Sequence, residues 1–174
     1  MVSSERRRYI PMQYFHEDTI PTNQVQIIPN ATLYHFGILE SNVHMAWTRA
    51  VCGRLKSDYR YSKDVVYNNF PWPIGGDASS VATRSLTADS DAWKRRLLQQ
   101  RIEQTAQATL DARALYPDSS LADLYDEVAM PPELRRAHQK NDEAVAAAYG
   151  FDPKLDESQI VAELFKMYQQ LTKQ

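Results

Sequence analysis

The stretch GRLKSDYRYS, residues 53–62, interleaves three cations, one carboxylate and two tyrosines within ten positions. Two interpretations fit this pattern. In the first, the stretch is a polar β-hairpin with a local salt bridge. In the second, it is a surface that reads nucleic-acid edges, because Arg and Lys donate to guanine, Asp accepts from the cytosine amino group and Tyr packs against sugar or base. Composition alone leaves both interpretations open.

The segment before this stretch is predicted to contain one strand and two helices. Residues 24–28 alternate and are rich in β-branched side chains, which predicts a strand that Pro29 ends. Asn30 is a good N-cap for a first helix. The apolar face of that helix is formed by Leu33, Phe36 and Leu39.

The second helix is predicted to end directly at the quoted stretch. Ser41 or Asn42 can cap its start, and Gly53 can stop it. Residues 59–61 and 65–67 carry the tyrosines and valines typical of short strands.

Beyond Pro73 the pattern becomes helical. Residues 74–90 lack periodicity and contain Gly75-Gly76, which predicts a linker. Helices are then predicted from Ser90 or Asp91 to Tyr116, from Ser120, from Pro131-Pro132 to Gly150, and from Asp156 onward. The predicted fold class is α+β, with a small mixed α/β segment at 1–73, a linker at 74–90 and a C-terminal helical bundle at 91–174.

Composition excludes several classes of protein. A single cysteine among 174 residues rules out an internal disulfide and a Cys-rich zinc site. No apolar run approaches the roughly 20 residues that span a bilayer, so we expect a cytoplasmic protein without membrane contact. Residues 1–73 carry eight Lys/Arg against six Asp/Glu, and the remainder carries twelve against sixteen. Neither part has the strong positive charge of a tight, independent DNA binder.

Motifs for catalysis, metals and cofactors are missing from the sequence. There is no Gly-rich strand-to-helix turn for S-adenosylmethionine, and no Asn/Asp-Pro-Pro-aromatic loop of the kind that holds a flipped base. His16 precedes Glu17-Asp18, but no second ligand pair stands at helical spacing, which favours a solvated turn over a metal site. We therefore expect no catalytic residue, metal ligand or bound cofactor in this chain.

Several runs of sequence together resemble one protein family. They are SSERRRYIP (3–11), NVHMAW (42–47), RAVCGRLKSDYRYS (49–62), YNNFPWP (67–73), LDARALYP (110–117), LADLYD (121–126) and MPPEL (130–134). They look like the type IIL restriction–modification enzymes, the MmeI-like proteins, and their kin among the class I DNA methyltransferases. The resemblance implies that residues 1–73 are the C-terminal portion of a DNA target-recognition domain. Residues 91–174 would be the C-terminal helical domain.

The resemblance also implies a non-catalytic specificity segment of a longer parent enzyme. Members of the family carry an adenine-N6 methyltransferase whose catalytic and cofactor motifs have no counterpart here. The abrupt opening of the sequence predicts that the chain starts inside the recognition domain. The expected partners are double-stranded DNA and the methyltransferase domain of the same parent chain, which would bind S-adenosylmethionine.

Base choice in this family is attributed to the stretch that matches residues 56–60. The resemblance implies that Lys56 and Asp58 form a variable pair, and that Arg60 is a further base-reading residue with Gln24 as its partner. On an extended segment alternate side chains point the same way, about 6.5–7 Å apart. Lys56 would then donate to guanine O6 and N7 while Asp58 accepts from cytosine N4.

Phosphate contacts are expected from other cations. By residue type these are Arg6, Arg7, Arg8, Arg54 and Lys63. The alternative to DNA recognition is a helical protein-interaction module. In that case the acidic bundle docks on a partner, and the basic stretch is an internal salt-bridge cluster.

Overall fold

A computed structural model describes residues 1–15, 18–73 and 89–173, which form a small sheet and a set of packed helices. In chain order the elements are β1 (Val2–Ser3), α1 (Leu33–Leu39), α2 (Asn42–Val51), β2 (Gly53–Leu55), β3 (Asp58–Arg60), a π-helical turn (Lys63–Tyr67), α3 (Asp89–Ala114), α4 (Leu121–Leu124), α5 (Pro132–Tyr149) and α6 (Glu157–Thr172). This order confirms the predicted α+β class. His16, Glu17 and most of the predicted linker lie outside the described residues.

The sheet is built around the central strand β3. Its strand order is β1-β3-β2, and both pairs are antiparallel. β2 and β3 form a hairpin in which Leu55 pairs with Asp58, so only Lys56 and Ser57 connect the two strands. On the other side of β3, Val2 of β1 lies opposite Arg60. The β-hairpin that the first interpretation of residues 53–62 predicted is therefore present.

The strand predicted at residues 24–28 is wrong. The segment is a loop that begins with a turn, in which the Val25 N–H donates to the Thr22 carbonyl at 3.3 Å. Its β-branched side chains are exposed, Val25 at 37% and Ile27 at 61%. A strand needs backbone hydrogen bonds to a neighbouring strand. In the described part of the chain, this loop contacts the end of β3 through a side chain and not through its backbone. The Gln26 amide donates to the Tyr61 carbonyl at 3.4 Å.

Two further local predictions are wrong. Asn30 does not cap α1, because it lies in a turn with a φ of 56°, and Thr32 is the N-cap. There the His35 ring nitrogen accepts from the Thr32 backbone N–H at 3.2 Å. Residues 65–67 are part of the π-helical turn rather than a strand. The Trp47 indole N–H donates to the Val66 carbonyl at 3.0 Å, which occupies an acceptor that a strand would use.

Local caps predicted for three other helices are confirmed, as is the glycine that ends α5. Ser41 accepts from the His44 backbone N–H at 3.3 Å and starts α2. Ser120 and Asp156 cap α4 and α6 in the same way. Gly150 ends α5 with a φ of 70°, a left-handed conformation that glycine adopts without steric cost.

One hydrophobic core joins the first segment to the C-terminal helices. α1 packs closely on α3, because a Cβ on Gly37 would lie only 2.6 Å from Ile102 Cγ2. α2 packs on α6, where the Trp47 ring centroid lies 5.2 Å from that of Phe165. The helices of the first segment therefore bury their apolar faces against the helical bundle. Within the described residues, no helix combines the length and apolar character needed to cross a membrane.

A buried polar cluster ties the same two parts together. We call it the buried junction and define it as Glu40, Arg113, Tyr125 and His138. Arg113 Nη2 donates to Glu40 Oε1 at 2.8 Å, and the Arg113 guanidinium also donates to the Tyr125 hydroxyl. The His138 ring nitrogens lie 2.7 Å from the Tyr125 hydroxyl and 3.2 Å from the Glu40 carbonyl. Burial lowers the pKa of His138 to about 3, so the ring is neutral in the folded chain.

Candidate nucleic-acid interface

The exposed face of β3 carries two of the predicted base-reading side chains. Asp58 and Arg60 lie on the same face, because successive side chains of a strand alternate and Tyr59 between them is buried at 3% exposure. Arg60 is exposed and Asp58 is half-buried. An acceptor and a donor thus stand two positions apart on one side of a short, rigid strand.

Lys56 lies at the tip of the hairpin rather than on an extended segment. Its φ is 57°, a left-handed conformation that lysine rarely adopts. The expectation that Lys56 and Asp58 share one extended strand is therefore wrong, because β3 begins only at Asp58. A non-glycine residue at such a position costs about 1–2 kcal/mol.

The salt bridge expected inside the motif is not formed. Asp58 Oδ1 accepts the Glu5 backbone N–H at 3.3 Å, which ties the hairpin to the N-terminal loop. Among the residues that the structure describes, neither Lys56 nor Arg60 forms an ion pair with Asp58. The ion pair of this region joins Arg54 to Glu5, at 3.8 Å between Nη1 and Oε2. Of the charged side chains on the hairpin, Lys56 and Arg60 are therefore the exposed ones that form no ion pair within the described residues.

Gln24 lies in the loop that passes beside β3. It is exposed and sits in the turn that begins at Thr22. The contact to the end of β3 is made by its neighbour Gln26, through the Tyr61 carbonyl. The loop therefore reaches the neighbourhood of Arg60, and the role of Gln24 itself stays a prediction.

Four of the five cations expected to contact phosphate line one open cleft of about 600 Å³. They are Arg6, Arg7, Arg8 and Arg54. Tyr59 and Tyr125 also line the cleft, and the Arg54 guanidinium lies 4.2 Å from the centroid of the Tyr59 ring. The fifth cation, Lys63, does not line it. Lys63 lies on the π-helical turn, with its Nζ 4.0 Å from the Asp64 carboxylate.

Two arginines of this cleft were missed by the sequence analysis. Arg49 stands in the last turn of α2, within a run that carried the family resemblance, and its position five residues before Arg54 was a usable signal. Arg135 comes from the first turns of α5, more than a hundred residues from Arg6. No local sequence pattern links Arg135 to Arg6, because only the packing of α5 against the first segment brings these two residues together.

The acidic residues of the cleft are few and partly engaged. Glu5, Asp126 and Glu127 face the six arginines. The Asp126 carboxylate accepts the backbone N–H groups of Ala129 and Val128, at 3.0 Å and 2.9 Å, which lowers its pKa. In the part of the chain that the structure describes, no three His, Cys, Asp or Glu side chains cluster in a way that could hold a metal ion. The cleft is therefore a site of net positive charge.

Comparison with known proteins relates this chain to DNA-modifying enzymes. A family model described as the MmeI target recognition domain matches residues 1–74, and one described as the MmeI C-terminal domain matches residues 95–174. DNA methyltransferase A of Bacillus subtilis (strain 168) is 39% identical over 171 residues, which are 98% of this chain and 17% of that protein. A solved structure of the type IIL restriction–modification enzyme MmeI in complex with DNA is 40% identical. It matches with a TM-score of 0.82 over 99% of this chain and 21% of that one. The chain thus spans about a fifth of the length of these relatives.

Proposed function

Because the chain belongs to the MmeI family, as a target recognition domain joined to a C-terminal domain, we propose that it is the DNA specificity part of a longer enzyme. That parent enzyme is a type IIL restriction–modification enzyme or a related adenine-N6 DNA methyltransferase. The observation that carries the proposal is the hairpin of β2 and β3, on which Lys56 and Arg60 are exposed and form no ion pair within the described residues.

The hairpin supplies the donors and acceptors that base reading requires. The tip lysine, Lys56, donates to guanine O6 and N7. The Asp58 carboxylate accepts from the amino group of the paired cytosine, and Arg60 reads a neighbouring base with Gln24 beside it. The width of the major groove, about 12 Å, admits a two-stranded ribbon of this kind. A single G·C pair is therefore read by one residue from the loop and one from the strand.

The segment has no catalytic function of its own in this proposal. The sequence lacks a cofactor-binding glycine turn and the loop that would hold a flipped base. S-adenosylmethionine is bound by the methyltransferase domain of the parent enzyme, on which this segment docks. DNA is the second partner, held through the arginine cleft and read through the hairpin.

Duplex binding by the 174-residue chain tests the proposal. A labelled duplex is titrated at several salt concentrations, and we expect weak binding with a log–log slope of about −0.9 for each phosphate contacted. The net charge of −2 sets the expectation of weak affinity. An affinity that does not respond to salt would support the protein-interaction module instead. Calorimetry with S-adenosylmethionine should show no saturable binding.

A further inference from the structure

The arginine cleft has two walls that come from distant parts of the chain. One wall is formed by the N-terminal loop and the end of the hairpin, including Arg6 and Arg7. The other is formed by the connection from α4 to α5, including Tyr125 and Asp126, and by Arg135 in the first turns of α5. The C-terminal domain, for which the comparisons give no role, therefore faces the recognition segment across a positively charged cleft.

The second wall is held rigidly against the first. Tyr125 is 2% exposed, and its hydroxyl lies in the buried junction, where it contacts both Arg113 and His138. Arg113 in turn is paired with Glu40 at the end of α1. Arg113 also donates to the Met12 carbonyl at 2.6 Å, so the buried cluster anchors the second wall to the N-terminal segment that continues from the first. Such anchoring favours a pre-organised binding site.

Arg135 differs from its neighbour Arg136 although both are exposed on α5. Arg136 forms an ion pair with Glu133 one turn before it, at 3.3 Å. Arg135 forms no ion pair with any residue that the structure describes, and it lines the cleft. It also stands in the first turns of α5, where the helix dipole disfavours a positive charge. Of the two adjacent arginines, Arg135 is therefore the one that can contact an anion in the cleft without breaking an ion pair.

We infer that the C-terminal domain completes a binding site for the DNA backbone, in which Arg135 contacts a phosphodiester across the cleft from Arg6 and Arg7. Arg49 is paired with Glu157 at 2.8 Å, and the five other arginines still outnumber the three carboxylates that line the cleft. The remaining net positive charge matches a phosphate chain. The open shape suits a backbone that passes through the cleft. This inference rests on the proposed DNA-reading function and adds a role for the helical domain. In that role, the domain contacts the phosphate backbone of the duplex without reading its sequence.

The test compares two adjacent arginines in the 174-residue chain. Duplex affinity is measured against salt for the unchanged chain, for Arg135→Ala and for the matched control Arg136→Ala. We expect Arg135→Ala to reduce the magnitude of the log–log slope by about 0.9, equally for a target and a scrambled duplex. Arg136→Ala should leave the slope unchanged, and Arg135→Lys should restore it because the charge returns.

Phosphate ethylation interference gives a second, direct measurement. Ethylation of one particular phosphate should weaken binding of the unchanged chain and have no effect on Arg135→Ala. Thermal unfolding should be the same for all variants, since both arginines are exposed. Equal salt slopes and equal interference patterns for Arg135→Ala and Arg136→Ala would overturn this inference while the proposed function stands. No duplex binding by the unchanged chain would overturn both.

Discussion

The exposed hairpin and the buried junction use the same residue types in opposite ways. In the junction, Arg113 is 8% exposed and its guanidinium donates to Glu40, to Tyr125 and to the Met12 carbonyl. In the hairpin, Lys56 and Arg60 are exposed and, among the described residues, leave Asp58 without an ion pair. A buried charge must be paired, whereas an exposed one can stay unpaired at little cost. The charges of the junction thus stabilise the fold, whereas Lys56 and Arg60 of the hairpin are exposed and form no ion pair within the described residues.

The strongest test of this contrast breaks the buried pair. Arg113→Met keeps much of the side-chain volume but leaves the Glu40 carboxylate buried without its cation. We expect the free energy of unfolding to fall by about 3–5 kcal/mol. Urea denaturation measures this, with Arg136→Ala as the exposed control, for which a loss below about 0.5 kcal/mol is expected. Equal losses in the two variants would show that the buried Arg113–Glu40 pair contributes no more to stability than the exposed Arg136.

The stability of the buried core should also depend on pH. His44 is buried, its ring lies 2.9 Å from the Leu39 carbonyl and 3.0 Å from the Tyr61 hydroxyl, and burial lowers its pKa from 6.5 to about 4. Between pH 6.5 and about pH 4, the His44 ring is therefore protonated in the unfolded chain and neutral in the folded chain. The stability contributed by neutral His44 is complete above pH 6.5 and is lost as the pH falls toward 4. The loss is on the order of 3 kcal/mol.

A variant isolates this contribution from the rest of the protein. Burial raises the pKa of Asp142 to about 6, which acts in the opposite direction over part of the same range. Stability of the unchanged chain and of His44→Gln is therefore compared as a function of pH. The slope for His44→Gln should be shallower by up to about 1.4 kcal/mol per pH unit, which corresponds to one proton. Parallel curves would contradict a neutral, buried His44.

On the exposed side, Lys56 and Asp58 should act as a pair that selects one base pair. Lys56→Glu with Asp58→Arg inverts the order of donor and acceptor, and the variant of the proposed parent enzyme should prefer C·G where the original prefers G·C. Each single change should weaken recognition by about 1–3 kcal/mol, because one polar group then faces a mismatched edge. Sequencing of the methylated sites measures the preference. An unchanged methylated DNA motif would show that neither Lys56 nor Asp58 reads bases.

The substitution with the smallest expected effect distinguishes the backbone strain at Lys56 from the proposed role of its side chain in reading DNA. Lys56→Gly removes a side chain from a left-handed backbone and should stabilise the chain by up to about 1 kcal/mol, after the entropy cost of glycine is subtracted. Ser57→Gly is the matched control, because the φ of Ser57 is not positive, and it should destabilise slightly. If Lys56 reads DNA, Lys56→Gly gains stability and loses base preference at one position. Thermal denaturation and site sequencing check the two effects separately.

The sequence by itself determined the features that depend on contacts within a few residues. Ser41, Ser120 and Asp156 cap their helices through the backbone N–H three positions on, and Gly150 ends α5 through its own conformation. The hairpin at residues 53–60 depends on neighbouring residues as well. The family resemblance, which the comparisons confirm, also rests on the sequence alone.

The tertiary structure decided the features whose partners lie far along the chain. The alternating residues 24–28 do not form a strand, because the end of β3 meets a side chain of this loop. Glu40 and Arg113 become partners only when α1 and α3 pack together. Arg135 reaches the cleft only because α5 is fixed to the first segment. A local pattern specifies which conformations a segment can adopt, whereas the burial of long-range partners selects among them.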